Sequence, residues 1–265
     1  MLAPRKYPEE LRERATRMAV ETRRALVVAT GVSAQGRQEI LSMALGNAET
    51  VDFWTSFLRS LRERGLKVPS PHDPEGLVLV TSDAHASIRA AVRAILPGAA
   101  WQRCRVHFAR SISSKLGSAR SKLAGVLVST IFAQTAPEAV AAQYKHVIDS
   151  LRDSFPEIAQ MLKDAEPDLT AFAALPREHW TKIWPQQPHR TAWAARPGAE
   201  QTWPRVFPDS ESVTRLIGFV LLEQHEEWQY GERRYLSQAS LLHLTDMLHT
   251  DNSTGGHPAL LAITT

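Results

Sequence analysis

Leu77-Val78-Leu79-Val80-Thr81-Ser82-Asp83-Ala84-His85 is the stretch on which the fold turns. Four aliphatic residues and a threonine make an uncharged run of strand length, the pattern of a strand buried on both faces. The run ends on an acid. Open α/β sheets present their ligand-binding groups at the carboxyl ends of strands, so Asp83 is the best-placed acid in the chain. Ala86 to Leu96 follows with helical periodicity and is closed by Pro97-Gly98. Asp83 is therefore either a ligand-binding carboxylate or the side chain that caps this helix. Position alone does not separate the two.

Working outward, Ala25 to Thr30 is a short β-rich apolar run closed by Gly31, and Gln38 to Leu45 reads as a second strand. Ser33, Gln35 and Gly36 between them suit a hairpin turn. Glu49 to Arg64 carries Phe53, Trp54, Phe57, Leu58 and Leu61 at helical spacing, with Gly65 as its cap. A connector with Pro69, Pro71 and Pro74 leads into the Leu77 strand. Ala100 to Phe108 is a further strand or a strand-to-helix junction. Phe108 to Lys182 reads as helical, with breaks near Pro137, Pro156, Pro167 and Pro176. Trp184 to Trp203 is rich in Trp and Pro and has no periodicity. Ser210 to Glu227 returns to a helix with Val213, Leu216, Ile217, Val220 and Leu221 along one side. At the other end, Tyr7 to Arg24 reads as an amphipathic helix with Pro8 in its first turn. The tail after Leu244 reads as polar and frayed. The order predicts an α/β core with a helical insertion.

Composition narrows the class without choosing a function. Of 265 residues, 43% are hydrophobic and 22% charged, as in ordinary globular proteins, and the net charge is +3. That balance suits a nucleic-acid partner but is shared by many enzymes. Cys104 is the single cysteine, so no disulfide forms within the chain. A reducing cytoplasm is the expected location. Met1 to Val20 lacks the apolar core of a signal peptide. Apolar runs such as Phe219–Leu222 are far too short for a bilayer, so no membrane association is expected.

A second motif is Trp101-Gln102-Arg103-Cys104-Arg105-Val106-His107-Phe108. Its Cys-x-x-His pair could begin a zinc site, but zinc usually takes three or four protein ligands and no second cysteine exists. Arg103, Arg105, Arg110 and Lys115 form a basic stretch. It is either a solvated helix face or a set of phosphate contacts.

Taken together, Val80 to Ser87 and Leu96 to Phe108 resemble the core of Mutator-type transposases from bacterial insertion sequences. The resemblance extends to Ala29–Val32, Phe53–Leu58, Ile131–Gln134, Pro176–Trp184 and Leu222–Trp228, in the same order. It covers roughly Arg24 to Leu241, with a gap at 185–204. It implies a ribonuclease-H-like fold with a large helical insertion. It also implies three carboxylates, Asp, Asp and Glu, that hold two Mg2+ or Mn2+ ions for phosphodiester hydrolysis and strand transfer. DNA would be the partner, as terminal repeats and as target, with a homo-oligomer expected. Asp83 matches the second Asp. Cys104 and His107 match the family's Cys-x-x-His signature, and with His85 they would shape the region around the active site.

Two departures from the family bear on activity. The strand with the first Asp lies just upstream of Ala25–Thr30 in the family; here a charged helix stands there, and Glu21 is the nearest acid. That helix, Tyr7 to Ala15, resembles the start of a helix-turn-helix protein from another insertion sequence. The third carboxylate belongs to a motif like Asn-Pro-x-Glu-Arg-Leu, where this chain reads Gln187-Pro188-His189-Arg190-Thr191-Ala192-Trp193. A one-base shift in suitable codons converts that heptapeptide into a Glu-containing version, and the family pattern resumes near Val206-Phe207-Pro208. A pair of compensating frameshifts around 185–204 would have erased the Glu; Glu200 is a loop acid with nothing to favour it.

The expected organisation is an N-terminal charged helix (1–24), core strands and helices (25–108), a helical insertion (109–183), an aberrant segment (184–204), a C-terminal core helix region (205–244) and a tail (245–265). The expected function is an insertion-sequence transposase with impaired catalysis; the alternative is a non-enzymatic DNA-binding remnant of one.

Overall fold

The computed structural model describes residues 25–46, 50–68, 76–183, 210–232, 234–251 and 258–264. The Tyr7–Arg24 helix, Glu21, the 184–204 window and Glu200 lie outside them.

β1 (Ala25–Val32) and β2 (Gln38–Gly46) form an antiparallel hairpin, followed by α1 (Val51–Glu63), β3 (Gly76–Ser82), α2 (Ala86–Ile95) and β4 (Ala100–Arg103). A run of helices comes next: α3 (Arg105–Lys115), α4 (Ser118–Ile131), α5 (Pro137–Leu151) and α6 (Pro156–Leu169), a 3-10 turn (Ala171–Ala174) and α7 (Arg177–Ile183). α8 (Ser210–Tyr230), α9 (Gln238–Asp251) and β5 (Pro258–Thr264) complete the described elements. The five strands make one sheet in the order β2-β1-β5-β3-β4. β5 runs antiparallel to β1 and parallel to β3, and β4 runs parallel to β3.

Three sequence expectations need correction. Gly31 does not close β1, because it pairs with Glu39 on one side and Leu261 on the other, and the ladder carries on to Val32. Pro167 does not break the helical stretch. It lies inside α6 near its end, on an exposed position one turn after exposed Lys163, so the carbonyl it leaves unpaired faces water. The frayed tail after Leu244 is replaced by the continuation of α9 to Asp251 and by β5, which fills the middle of the sheet. Pro258-Ala-Leu-Leu-Ala-Ile-Thr is an uncharged run of the kind a two-sided central strand requires. The polar residues just before it hide that signal.

Local chemistry explains the other boundaries. The hairpin turn closes through Ser33 N to Arg37 O (2.9 Å) and Gly36 N to Ser33 O (2.8 Å). Gly36 has φ 76°, and a Cβ there would meet the Leu236 carbonyl oxygen at 2.1 Å, so only glycine fits. Thr50 caps α1 by accepting from Phe53 N at 3.3 Å. At its other end Gly65 N reaches Arg62 O and Leu66 N reaches Leu61 O, the paired bonds of a Schellman stop.

Side-chain alternation along β1 separates the layers. Val27 and Ala29 join Trp54, Leu58, Leu61, Ile88 and Val92 in a core under α1 and α2. Val28, from the opposite face, packs against Ile217 and Leu221 of α8. An irregularity at Leu77/Leu79 in the β3–β5 ladder leaves Val78 without a register partner. Leu77 and Val80 consequently face α1 and α2, while Leu79 joins the core of the helical run with Phe108, Tyr144, Leu162, Phe172 and Trp180. The result is a sheet with helices on both faces. α8 is fixed to the hairpin by polar contacts as well: Ile40 N donates to His225 Nδ1 (3.1 Å), and Arg37 donates to the Gly231 carbonyl (3.1 Å) at the helix end.

Candidate functional site at the carboxyl end of β3

Asp83 follows the last residue of β3 and is half-buried. Its carboxylate accepts from His85 N at 3.5 Å, a long bond. The N-cap of α2 is His85, with extended backbone and Nδ1 accepting from Ser87 N. His85 Nδ1 also lies 2.7 Å from the Ser87 hydroxyl. Asp83 is therefore not the cap of α2.

The preceding residue anchors this strand end. Ser82 is fully buried; its hydroxyl donates to the Asp83 carbonyl (2.8 Å) and accepts from the Trp101 indole (2.9 Å). Ser82 O in turn accepts from Cys104 N at 2.7 Å, and Ser82 is in register with Arg103. The parallel pairing thus brings the two sequence motifs side by side, with Asp83 and Cys104 at adjacent strand ends. Burial pushes the Cys104 thiol up, the backbone N–H groups of His107 and Val106 draw it down, and Asp83 adds to the rise. A buried thiol held protonated is a poor nucleophile and a poor metal ligand. His107 lies in the first turn of α3, where its carbonyl accepts from the Ser111 hydroxyl. Among the described residues no group of three or more His, Cys, Asp or Glu side chains is placed to hold a metal ion.

The basic residues do not form one stripe. At 3.6 residues per turn, each step from 105 to 110 and from 110 to 115 turns about 140° around α3. Arg103 stacks over Phe108 at 4.8 Å, and Arg105 over Phe132 at 5.5 Å. Burial lowers the pKa of both; Asp168 opposes this at Arg103 and Cys104 opposes it at Arg105. Arg110 is exposed. Lys115 is ion-paired with Glu157. Sequence reasoning did not single out Arg89, which stacks over Trp101 at 5.0 Å and pairs with Asp168 at 3.2 Å. Arg89 and Arg103 thus share a single acid. Gln102 was also missed, although it stood in the quoted motif. Its amide donates to Leu169 O and its oxygen accepts from Phe172 N, bolting β4 to the helical run.

A cavity of about 500 Å³ opens between β2 and α1, lined by Met43, Asp52, Phe53 and Phe57 among others. It lies at the opposite edge of the sheet from β4 and is not part of the Asp83 site. No helix among the described residues is long and apolar enough to cross a membrane.

A mixed sheet flanked by helices, with an aspartate at the end of a central parallel strand, defines an α/β protein with its candidate site at the strand ends. The family model for Mutator-family transposases matches residues 10–231, and the chain belongs to that family. It is 42% identical over 211 residues to the transposase for insertion sequence element IS1081 of Mycobacterium tuberculosis, covering 79% of this chain and 48% of that protein. It is 29% identical over 212 residues to the transposase for IS256 in transposon Tn4001 of Staphylococcus aureus (79% and 52%). It is 28% identical over 225 residues to the transposase for ISRM5 of Rhizobium meliloti (83% and 53%). The chain therefore spans about half the length of the curated relatives it matches.

Proposed function

We propose that this chain is an insertion-sequence transposase whose DNA cutting and joining is impaired, built on a ribonuclease-H-like core with α3 to α7 as its helical insertion. The observation that carries this reading is the identity of the strand beside β3. A strand just upstream of β1 would normally pair along β1's free edge, since sequential strands tend to be neighbours. That edge is taken by β5, whose sequence from Pro258 to Thr264 contains no acid. On the other side of β3 stands β4, with Arg103 level with Ser82. Among the described residues, Asp83 is flanked by no second carboxylate from either neighbouring strand.

The family's chemistry calls for Mg2+ or Mn2+ held by three convergent carboxylates. Asp83 offers one hard oxygen ligand, and among the described residues no cluster adds the others. The described residues do not fit a pair of ions. DNA remains the partner class on this reading. Arg89 and Arg103 face one shared acid, and Arg110 is exposed close enough to Cys104 to act on its thiol. These cations support phosphate contact as the role of this end of the sheet. The same charge supports the second reading, a DNA-binding remnant without catalysis.

The deciding experiment incubates the protein with duplex DNA carrying the element's terminal repeats and Mg2+ or Mn2+. The proposal expects DNA retention that falls steeply with salt, with strand cleavage weak but detectable and abolished by Asp83→Ala. Efficient cleavage would overturn the impairment; cleavage unaffected by Asp83→Ala would overturn the site. Retention with no cleavage at all selects the remnant, and loss of both removes DNA as the partner.

A further inference from the structure

The sheet has two edge strands, β2 and β4. β4 lies against the helical run, which Gln102 fastens to it through Leu169 O and Phe172 N. β2 is covered only along its first half. His225 Nδ1 accepts from Ile40 N (3.1 Å), Gln229 donates to the Gln38 carbonyl (3.0 Å), and Arg64 donates to the Leu41 carbonyl (3.0 Å). Among the described residues, no strand or side chain is bonded to the outer main-chain groups from Ser42 to Gly46. Alternate residues there point N–H and C=O away from β1. Ser42-Met43-Ala44-Leu45-Gly46 has no charge and no proline, the devices that usually blunt an exposed edge.

The cavity of about 500 Å³ opens on this same half of β2. Phe53 and Phe57 line it as a stacked pair, ring centroids 6.2 Å apart, with Phe53 half-buried. The Phe53 ring packs on Gly46, where a Cβ would stand 2.3 Å from it. This free edge is complementary to itself. A half-turn about an axis through Ala44 sets Ser42–Gly46 antiparallel to a copy of itself, with Met43 opposite Leu45 and Ser42 opposite Gly46. No like charges meet across that pairing. The same half-turn sets α1 antiparallel to α1 of the other copy. Asp52, Ser56 and Arg59 are exposed and follow at i, i+4 and i+7, so they lie along one stripe of α1. The cavity spans Ser42–Ala44 on the strand and Asp52–Ser60 on the helix. Ser56 therefore falls near the axis, and Asp52 of each copy comes toward Arg59 of the other. An unrelated extended segment would have to supply both complements; a second copy already carries them.

We propose that the free half of β2 and the exposed stripe of α1 form a two-fold interface with a second copy of this chain, joining two five-stranded sheets into one continuous sheet. The proposal does not depend on whether the chain cuts DNA.

The test is sedimentation velocity of the full-length chain at low salt, where exposed charges are least screened, beside two charge reversals, Asp52→Arg and Arg59→Asp. Both side chains are exposed, so the core is untouched. The unchanged chain is expected to sediment at twice its 29.5 kDa mass. Each variant alone sets like charges across the axis and is expected to shift toward monomer. An equimolar mixture of the two restores opposite charges at both contacts and is expected to recover the dimer. Ala44→Cys in a Cys104→Ala background reports the position. Oxidation is expected to link two copies 44-to-44, whereas Arg93→Cys, exposed on α2, stays unlinked. A monomeric unchanged chain overturns the proposal. So does a dimer that neither reversal weakens, or one that fails to link at residue 44, because such a dimer uses another surface.

Discussion

The Gln102 side chain donates to the Leu169 carbonyl at 2.9 Å, across 67 residues of sequence, while its oxygen accepts from Phe172 N at 2.8 Å. One buried amide satisfies the end of α6 and the start of the 3-10 turn. Gln102→Leu keeps the volume and strands both backbone groups in an apolar setting. At roughly 1–3 kcal/mol per buried unpaired group, the expected loss for the two is about 2–6 kcal/mol. Urea denaturation measures it, and an unchanged midpoint would show that water or a rearrangement replaces the amide.

Asp83 and His85 should separate cleanly. Asp83→Asn is expected to change stability by less than about 0.5 kcal/mol, the range of a surface change away from caps and cores. His85→Ala removes the N-cap of α2 and should cost about 1 kcal/mol. Thermal melts of the two variants check this; the reverse order would restore Asp83 as the structural residue.

His179 is fully buried in α7, and burial holds its pKa below the ordinary 6.5, opposed by Glu178 and reinforced by His243. The unfolded chain then binds a proton that the folded chain refuses. Stability is complete above about pH 6.5 and declines below it, by at most about 1.4 kcal/mol per pH unit for one proton. His179→Leu should narrow the gap in melting temperature between pH 7.5 and pH 5.5. A gap of unchanged size would assign the acid sensitivity elsewhere.

Arg110 and Lys115 look alike in sequence and differ in setting. If the proposed DNA contact holds, Arg110→Ala should weaken retention of DNA and reduce the salt slope by about one. Lys115→Ala should do less, because its ammonium is already paired with Glu157. Binding titrations at several salt concentrations distinguish them; equal effects would mean that DNA displaces Glu157.

Much of the sheet was legible because its signals are local. The β1–β2 hairpin announced itself through Gly36 between two β-rich runs, and β3 through Leu77 to Thr81. β5 was not, since Asn252 to Gly256 make a polar prelude to the apolar run, and nothing within it tells that its partners lie beyond position 25 and position 76. The site was half legible. Asp83 stood out by position, but the choice between cap and ligand needed the conformation of His85. Gln102 carried no signal at all: its partners are Leu169 and Phe172, and no periodicity links residues so far apart. The basic stretch was legible only as a run, because a linear series of cations says nothing about which of them already has an acid.

The sparse bonding of Asp83 bears on the history of the gene. Ser82, Trp101 and Gln102 are tied to the fold, and mutation there would be purged wherever folding matters. Asp83 has one long hydrogen bond, so folding gives almost no reason to retain it. In a lineage freed from strand cleavage, drift should erase this aspartate well before its neighbours. If the proposed site holds, retention of this aspartate would reflect selection for chemistry, in a place where selection for stability has little to act on.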